Sequence, residues 1–300
     1  MRLINVTTKT LEIFNDDTQP IPPYAILSHT WGSDHEEISF HDLQEGKRKT
    51  GRGQYKFDKC CSQAAYDGLS YTWIDTCCID KASSTELSEA INSMFKWYKT
   101  ATVCYAYLYD VKVGEDLNKP GSRFSESCWF QRGWTLQELI APRIVQFYDS
   151  DWNELGSKRG LATVLHSITR IPRIFLLGTD RLSNASVAQR MSWAAGRVTK
   201  RKEDLAYCLL GIFGITMPMI YGEGERAFRR LQEEITKHID DDSILAWNFN
   251  NNISTNRLEG ALPGGALAPS PSSFAASNHI VSAVTDPIRL GHYTCLAVAY

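Results

Sequence analysis

The apolar residues of this chain fall in short runs that end abruptly in polar groups. The clearest run is Tyr24-Ala25-Ile26-Leu27, followed by Ser28-His29-Thr30-Trp31-Gly32-Ser33-Asp34. It reads as a strand buried on both faces, as in a parallel sheet, that feeds a polar loop at its carboxyl end. Residues 71–76 (YTWIDT) repeat the pattern with Asp75 near the end, and residues 77–81 follow as a loop. Residues 102–109 (TVCYAYLY) are β-branched and aromatic and predict a third strand, and residues 144–148 (IVQFY) predict a fourth.

Helical spacing fills the intervals. Residues 57–68 put Phe57, Cys60, Cys61, Ala64 and Ala65 on one side and stop at Gly68, as a C-terminal cap would. Ser83 or Ser84 caps a helix whose apolar stripe is Ile91, Met94, Phe95 and Tyr98, and core packing is the expected use of that stripe. Residues 38–52 predict a short helix and a basic loop, and residues 1–14 a two-stranded hairpin. Strands alternating with helices argue for an α/β fold with a mainly parallel sheet flanked by helices.

Beyond residue 158 the spacing is helical, over 161–171, 186–196, 203–213 and 225–239. From residue 240 the chain turns acidic, then rich in Asn and Ser, then in Gly, Pro and Ala. Residues 243–249 read as a strand, and the apolar end 293–300 stops without a polar tail, as a truncated chain would. The expected division is a core over 1–158, a helical extension over 159–242, and over 243–300 a linker with the start of a C-terminal β-rich region.

Composition narrows the function. A net charge of -2 on 300 residues gives no general attraction to nucleic acid or to an anionic membrane. The basic clusters at 47–52 and 197–202 are short and lack interleaved aromatics, so they read as solvated loops. The N-terminus has no apolar signal core, and the longest apolar stretch, 205–221, is broken by Gly211, Gly214 and Pro218. The expectation is a soluble, cytoplasmic protein. Eight cysteines with no C-x-x-C spacing are expected to be buried free thiols, with no metal site.

The stretch 127–139 (SCWFQRGWTLQEL) concentrates the candidate chemistry. Glu138 sits near the start of a helix beside Trp129 and Trp134, where a carboxylate can be desolvated and held in one orientation. The plainer account makes Glu138 a first-turn residue favoured by the helix dipole and the tryptophans ordinary core. Ser28 and His29 are adjacent, so in a strand they point to opposite faces and cannot form a nucleophile–base pair; ligand contact or loop-fixing bonds remain. Asp75 and Asp80 alone are weak evidence for a cation site. Gly222-Glu223-Gly224-Glu225-Arg226-Ala227 fits the loose G-x-G-x-x-A pattern, but its two glutamates would repel a pyrophosphate.

Three segments together resemble the fungal heterokaryon-incompatibility (HET) domain: YAILSHTWG at 24–32, WIDTCCIDK at 73–81 with the following Glu86, Met94 and Tyr98, and RGWTLQELIAP at 132–142. YGEGERAFRRLQEEI resembles the section that follows such domains, so the resemblance covers roughly residues 1–250. Lys81 stands where glutamine is expected. The family triggers programmed cell death when genetically unlike hyphae fuse, and its members often head larger receptor-like proteins.

The HET domain is in turn similar to the TIR domain, whose sheet is flavodoxin-like. The plant TIR motifs S-F-R-G-x-D and W-C-L-x-E-L have counterparts at 28–34, one residue longer, and at 134–139. That resemblance implies a TIR-like core in which Glu138 is the catalytic residue for splitting nicotinamide from NAD. It further implies substrate contacts from Ser28, His29, Trp31, Gly32, Asp75, Arg132 and Trp134. NAD enters as substrate, with no other cofactor, and self-association and an upstream activating protein are expected partners. The alternative is a non-catalytic module that signals death by self-association.

Overall fold

A computed structural model describes residues 1–15, 20–33, 35–114, 116–247 and 266–281. The N-terminal hairpin forms as expected: β1 (Arg2–Asn5) pairs antiparallel with β2 (Leu11–Ile13), Arg2 opposite Ile13. The four expected strands also form, as β3 (Tyr24–His29), β4 (Tyr71–Trp73), β5 (Val103–Tyr107) and β6 (Val145–Tyr148). A further strand that the sequence pattern did not suggest, β7 (Glu154–Ser157), pairs antiparallel with β6. Together they make one seven-stranded sheet in the order β2-β1-β4-β3-β5-β6-β7.

Strands β4, β3, β5 and β6 run parallel, and β1 joins β4 antiparallel. All six residues of β3 are buried, which is why its sequence is a continuous apolar run rather than an alternation. The chain runs from β3 to β4 on one side, then returns to β5 on the other. The winding therefore reverses between β3 and β5, and open α/β sheets place ligands outside the carboxyl ends of strands at such a reversal.

Helices α1 (Phe40–Gln44), α2 (Arg52–Tyr66), α3 (Asp75–Cys78), α4 (Ser84–Thr100) and α5 (Thr135–Ile140) flank the sheet. Neighbouring residues of β4 show which faces they cover. The Thr72 hydroxyl lies 3.1 Å from Cys60 of α2, whereas the Trp73 ring packs on Trp97 and Tyr98 of α4. Successive strand residues point to opposite faces, so α2 and α4 lie on opposite sides.

Two boundaries differ from the sequence reading. The strand expected over 71–76 stops at Trp73, because Asp75 opens the single turn α3 where a loop was expected. Helix α2 starts at Arg52 rather than 57, which brings Lys56 into the helix on its buried side.

The extension is helical as expected, with α6 (Ala162–Thr169), α7 (Arg173–Leu176), α8 (Val187–Ser192), α9 (Asp204–Tyr207), α10 (Leu210–Phe213) and α11 (Arg226–His238). The stretch read as one helix over 203–213 is split into α9 and α10, which lays Gly211 against Phe95 of α4.

The strand expected over 243–249 is instead a 3-10 turn at Asp242–Leu245, begun by the Asp241 side chain accepting from the Ser243 N–H. Residues 248–249 and 293–300 lie outside the described residues, and 266–281 contain a 3-10 turn at Pro271–Phe274 and no strand. That segment docks on the helices. Gln232 of α11 donates to the Ala268 carbonyl at 2.9 Å and accepts from its N–H at 2.8 Å.

Among the described residues no helix is long and apolar enough to cross a membrane. The seven described cysteines are free thiols, and all but Cys128 are buried.

Candidate functional site

The 127–139 stretch is bent before it becomes helical. A 3-10 turn at Cys128–Gln131 is pinned by Asp110, which accepts from the Ser127 hydroxyl at 2.7 Å and the Cys128 N–H at 2.8 Å. Residues 131–133 then lie against the extension: Gly133 N–H donates to the Val198 carbonyl at 2.9 Å and Val198 N–H to the Gln131 carbonyl at 2.7 Å. A Cβ at Gly133 would meet Thr199 at 2.5 Å, so the contact needs glycine. Helix α5 follows, with all six residues buried. Its first residue, Thr135, donates to the Trp129 carbonyl and accepts from Arg197 Nη1 at 3.0 Å.

This brings Glu138 to the carboxyl end of β3. Its side chain is only 7% exposed and accepts a hydrogen bond from the Ser28 hydroxyl. Ser28 Oγ in turn accepts from the Trp129 indole at 2.9 Å, and Tyr98 donates to the carbonyl of neighbouring Leu27 at 2.9 Å. Burial pushes the Glu138 carboxyl up to about 8, against the Ser28 hydrogen bond; the Asp75 charge raises it further and the Arg132 charge opposes. At neutral pH Glu138 is therefore mostly protonated.

Ser28 and His29 do face different neighbours. His29 Nδ1 lies 2.7 Å from the Lys56 ammonium, and Nε2 lies 2.9 Å from Asp75 Oδ1. An ammonium can only donate, so Nδ1 accepts and the ring proton sits on Nε2, facing Asp75. Burial, followed by the Lys56 charge, holds the His29 pKa below its ordinary value, which keeps this tautomer neutral. Asp75 Oδ2 accepts from the Trp31 indole at 2.7 Å. Burial alone would raise the Asp75 pKa, but the Lys81 charge and the His29 and Trp31 hydrogen bonds hold it well below the usual carboxylate range.

Lys56 completes the cluster by donating to Glu37 at 2.5 Å, and Glu37 also accepts from the Gly32 N–H at 2.6 Å. Burial pulls the Lys56 pKa down against that ion pair. Beside it is a crevice, lined in part by His29, Glu37, Lys56 and Phe57, with room for about one water.

The fold thus joins Ser28 to Glu138, and joins His29, Trp31 and Gly32 to Asp75 through one hydrogen-bonded network. Arg132 links the two: its charge acts on Glu138, and its guanidinium lies 5.7 Å from the Trp31 ring. Trp134 stands apart, its side chain hydrogen-bonded to Asp204. Sequence reasoning missed Trp129 as the group that orients Ser28, and missed Lys56 and Glu37 altogether. Trp129 reads as core, and an isolated lysine in a helix reads as solvent-facing.

A family model described as "Heterokaryon incompatibility protein (HET)" matches residues 24–119, and one described as "Domain of unknown function (DUF8212)" matches 226–289. Vegetative incompatibility protein HET-E-1 of Podospora anserina is 50% identical over 231 residues, covering 75% of this chain. The chain spans 17% of that relative's length. No solved structure matches the chain.

Proposed function

We propose that this chain, which belongs to the heterokaryon-incompatibility (HET) domain proteins, is a death-triggering module that hydrolyses NAD to nicotinamide and an ADP-ribose product. The observation that carries this reading is Glu138: a buried, mostly protonated carboxyl, oriented by Ser28 at the point where the strand winding reverses. The parallel strands stand in the order second-first-third-fourth, the winding of a flavodoxin-like sheet, which supports the TIR-like reading.

The mechanism follows from charge. A cationic nicotinamide ring bound beside Glu138 favours its ionised form, so binding expels the carboxyl proton. The ribose–nitrogen bond then breaks with its electron pair going to nicotinamide, which leaves neutral and needs no general acid. Positive charge appears on the ribose, and the Glu138 carboxylate stabilises it. Water attacks the anomeric carbon and returns a proton to Glu138, so one turnover releases one proton. The ionised Asp75 is the second carboxylate near this path, suited to the ribose hydroxyls.

Incubating the purified chain with NAD should release nicotinamide, and Glu138→Gln should lower that rate by about a hundredfold or more while the protein stays folded. It should lose cell killing in step. A Glu138→Gln protein that kills at normal abundance would replace this reading with the non-catalytic, self-associating module.

A further inference from the structure

The polar groups around Glu138 form a hydrogen-bonded chain that runs in one direction. The Trp129 indole can only donate, so Ser28 Oγ accepts from it at 2.9 Å and gives its own hydrogen to Glu138 Oε2. The Tyr98 hydroxyl faces the same carboxyl and donates to the Leu27 carbonyl at 2.9 Å. With that hydrogen committed, Tyr98 has only lone pairs to offer Glu138, and the carboxyl proton is the hydrogen that joins them. The protonated state therefore satisfies every member from the indole to the Leu27 carbonyl. Trp129, Ser28 and Tyr98 are all fully buried.

The ionised state needs the opposite polarity. A carboxylate only accepts, and burying it short of donors is costly. The Tyr98 ring is fixed edge-on to Trp73, 6.0 Å away, on the helix α4 that packs against α5. Turning its O–H from Leu27 to Glu138 supplies a donor without moving a heavy atom. We propose that Tyr98 is a positioning residue that reverses its hydroxyl as Glu138 releases its proton to solvent, holding the carboxylate beside the cationic ribose. Its role rests on the reading of Glu138 as the carboxyl that acts on NAD, and explains how that group ionises in a buried place.

The exchange favours the carboxylate, because Leu27 gives up a neutral hydrogen bond and Glu138 gains a charge-assisted one, roughly twice as strong. Burial, then the Glu138 charge, hold the Tyr98 pKa well above its ordinary value, so the hydroxyl keeps its hydrogen throughout. The other charges facing Glu138 are fixed: Arg132 and Arg197 favour ionisation and Asp75 opposes it. Burial pushes the neighbouring Cys104 and Cys208 thiols up, so both stay neutral.

The test is Tyr98→Phe, which keeps the ring and removes the hydroxyl. The readout is carbon-13 NMR of carboxyl-labelled glutamate in the ligand-free chain, where the Glu138 resonance is the one that Glu138→Gln removes. The Glu138 pKa should rise by about one pH unit. In NAD cleavage, kcat/KM should fall about tenfold near neutral pH, and the gap should close as pH rises through the new value. A tyrosine fluorinated beside its hydroxyl, placed at position 98 alone, fills the same space, donates more strongly and accepts more weakly. It should move the Glu138 pKa down.

A Glu138 pKa that stays put in either variant, or falls in Tyr98→Phe, would overturn the role of Tyr98, even if NAD is cleaved. A pKa that moves as expected in a chain that releases no nicotinamide would keep that role and overturn the hydrolase reading.

Discussion

Burial raises the Glu138 carboxyl from 4.5 to about 8, and unfolding would return it to water. Between those values the folded chain binds more protons than the unfolded one, so stability falls as pH rises through that window. Glutamine keeps the shape and does not titrate. Glu138→Gln should therefore match the parent in denaturant midpoint near pH 4.5 and exceed it progressively towards pH 8, by up to a few kcal/mol. Parallel midpoints across the whole range would mean that Glu138 is not held protonated. The prediction pairs gained stability with lost catalysis, as expected of a group kept at a site for its chemistry rather than its packing.

At the scale of elements, helix α2 and the loop after β3 depend on each other. A Cβ at Gly53 would come 1.8 Å from the backbone oxygen of Glu36, which has no flexible end to move aside. Gly53→Ala must push residues 36–37 away and pull Glu37 from Lys56, although alanine is the better helix former. We expect it to cost about 1–3 kcal/mol in urea unfolding and to shift Trp31 fluorescence, since Gly32 is tied to Glu37. An unchanged midpoint would show that this contact is looser than described. Helix propensity, read locally, gives the opposite sign.

Across the whole molecule, the helical extension completes the core rather than merely following it. Arg197 donates to the Arg132 carbonyl at 2.8 Å and to Thr135, and Val198 pairs with the chain just before α5, so the helix that carries Glu138 is braced from the extension. The segment 266–281 is braced in turn by Gln232, whose amide satisfies both backbone groups of Ala268. Gln232→Leu strands that N–H and carbonyl in a buried position, at about 1–3 kcal/mol each. Limited proteolysis should then cut within 266–281 well before the sheet, where the parent is protected. Equal cleavage rates would show that Gln232 does not hold the segment.

The sequence by itself determined the parallel strands and the N-terminal hairpin. Continuous apolar runs that stop at polar residues are compatible with little except strands covered on both faces. It also placed Ser28 and His29 on opposite faces, a consequence of strand geometry alone. It did not show β7, whose residues Glu154–Ser157 are partly exposed and carry little apolar signal. Nor did it show the 3-10 turn where a strand was expected over 243–249, because Asp241 begins that turn through its own side chain. Only the tertiary structure decided what the site residues do. Lys56 and Glu37 are charged and read as surface, yet they are buried as an ion pair beside His29, whose pKa is lowered by burial and by the Lys56 charge. Glu138 is protonated because α5 is enclosed on every side. Periodicity reports the face a residue shares with its near neighbours in sequence, whereas charge state is set by neighbours 19 to 110 residues away, which no local pattern encodes.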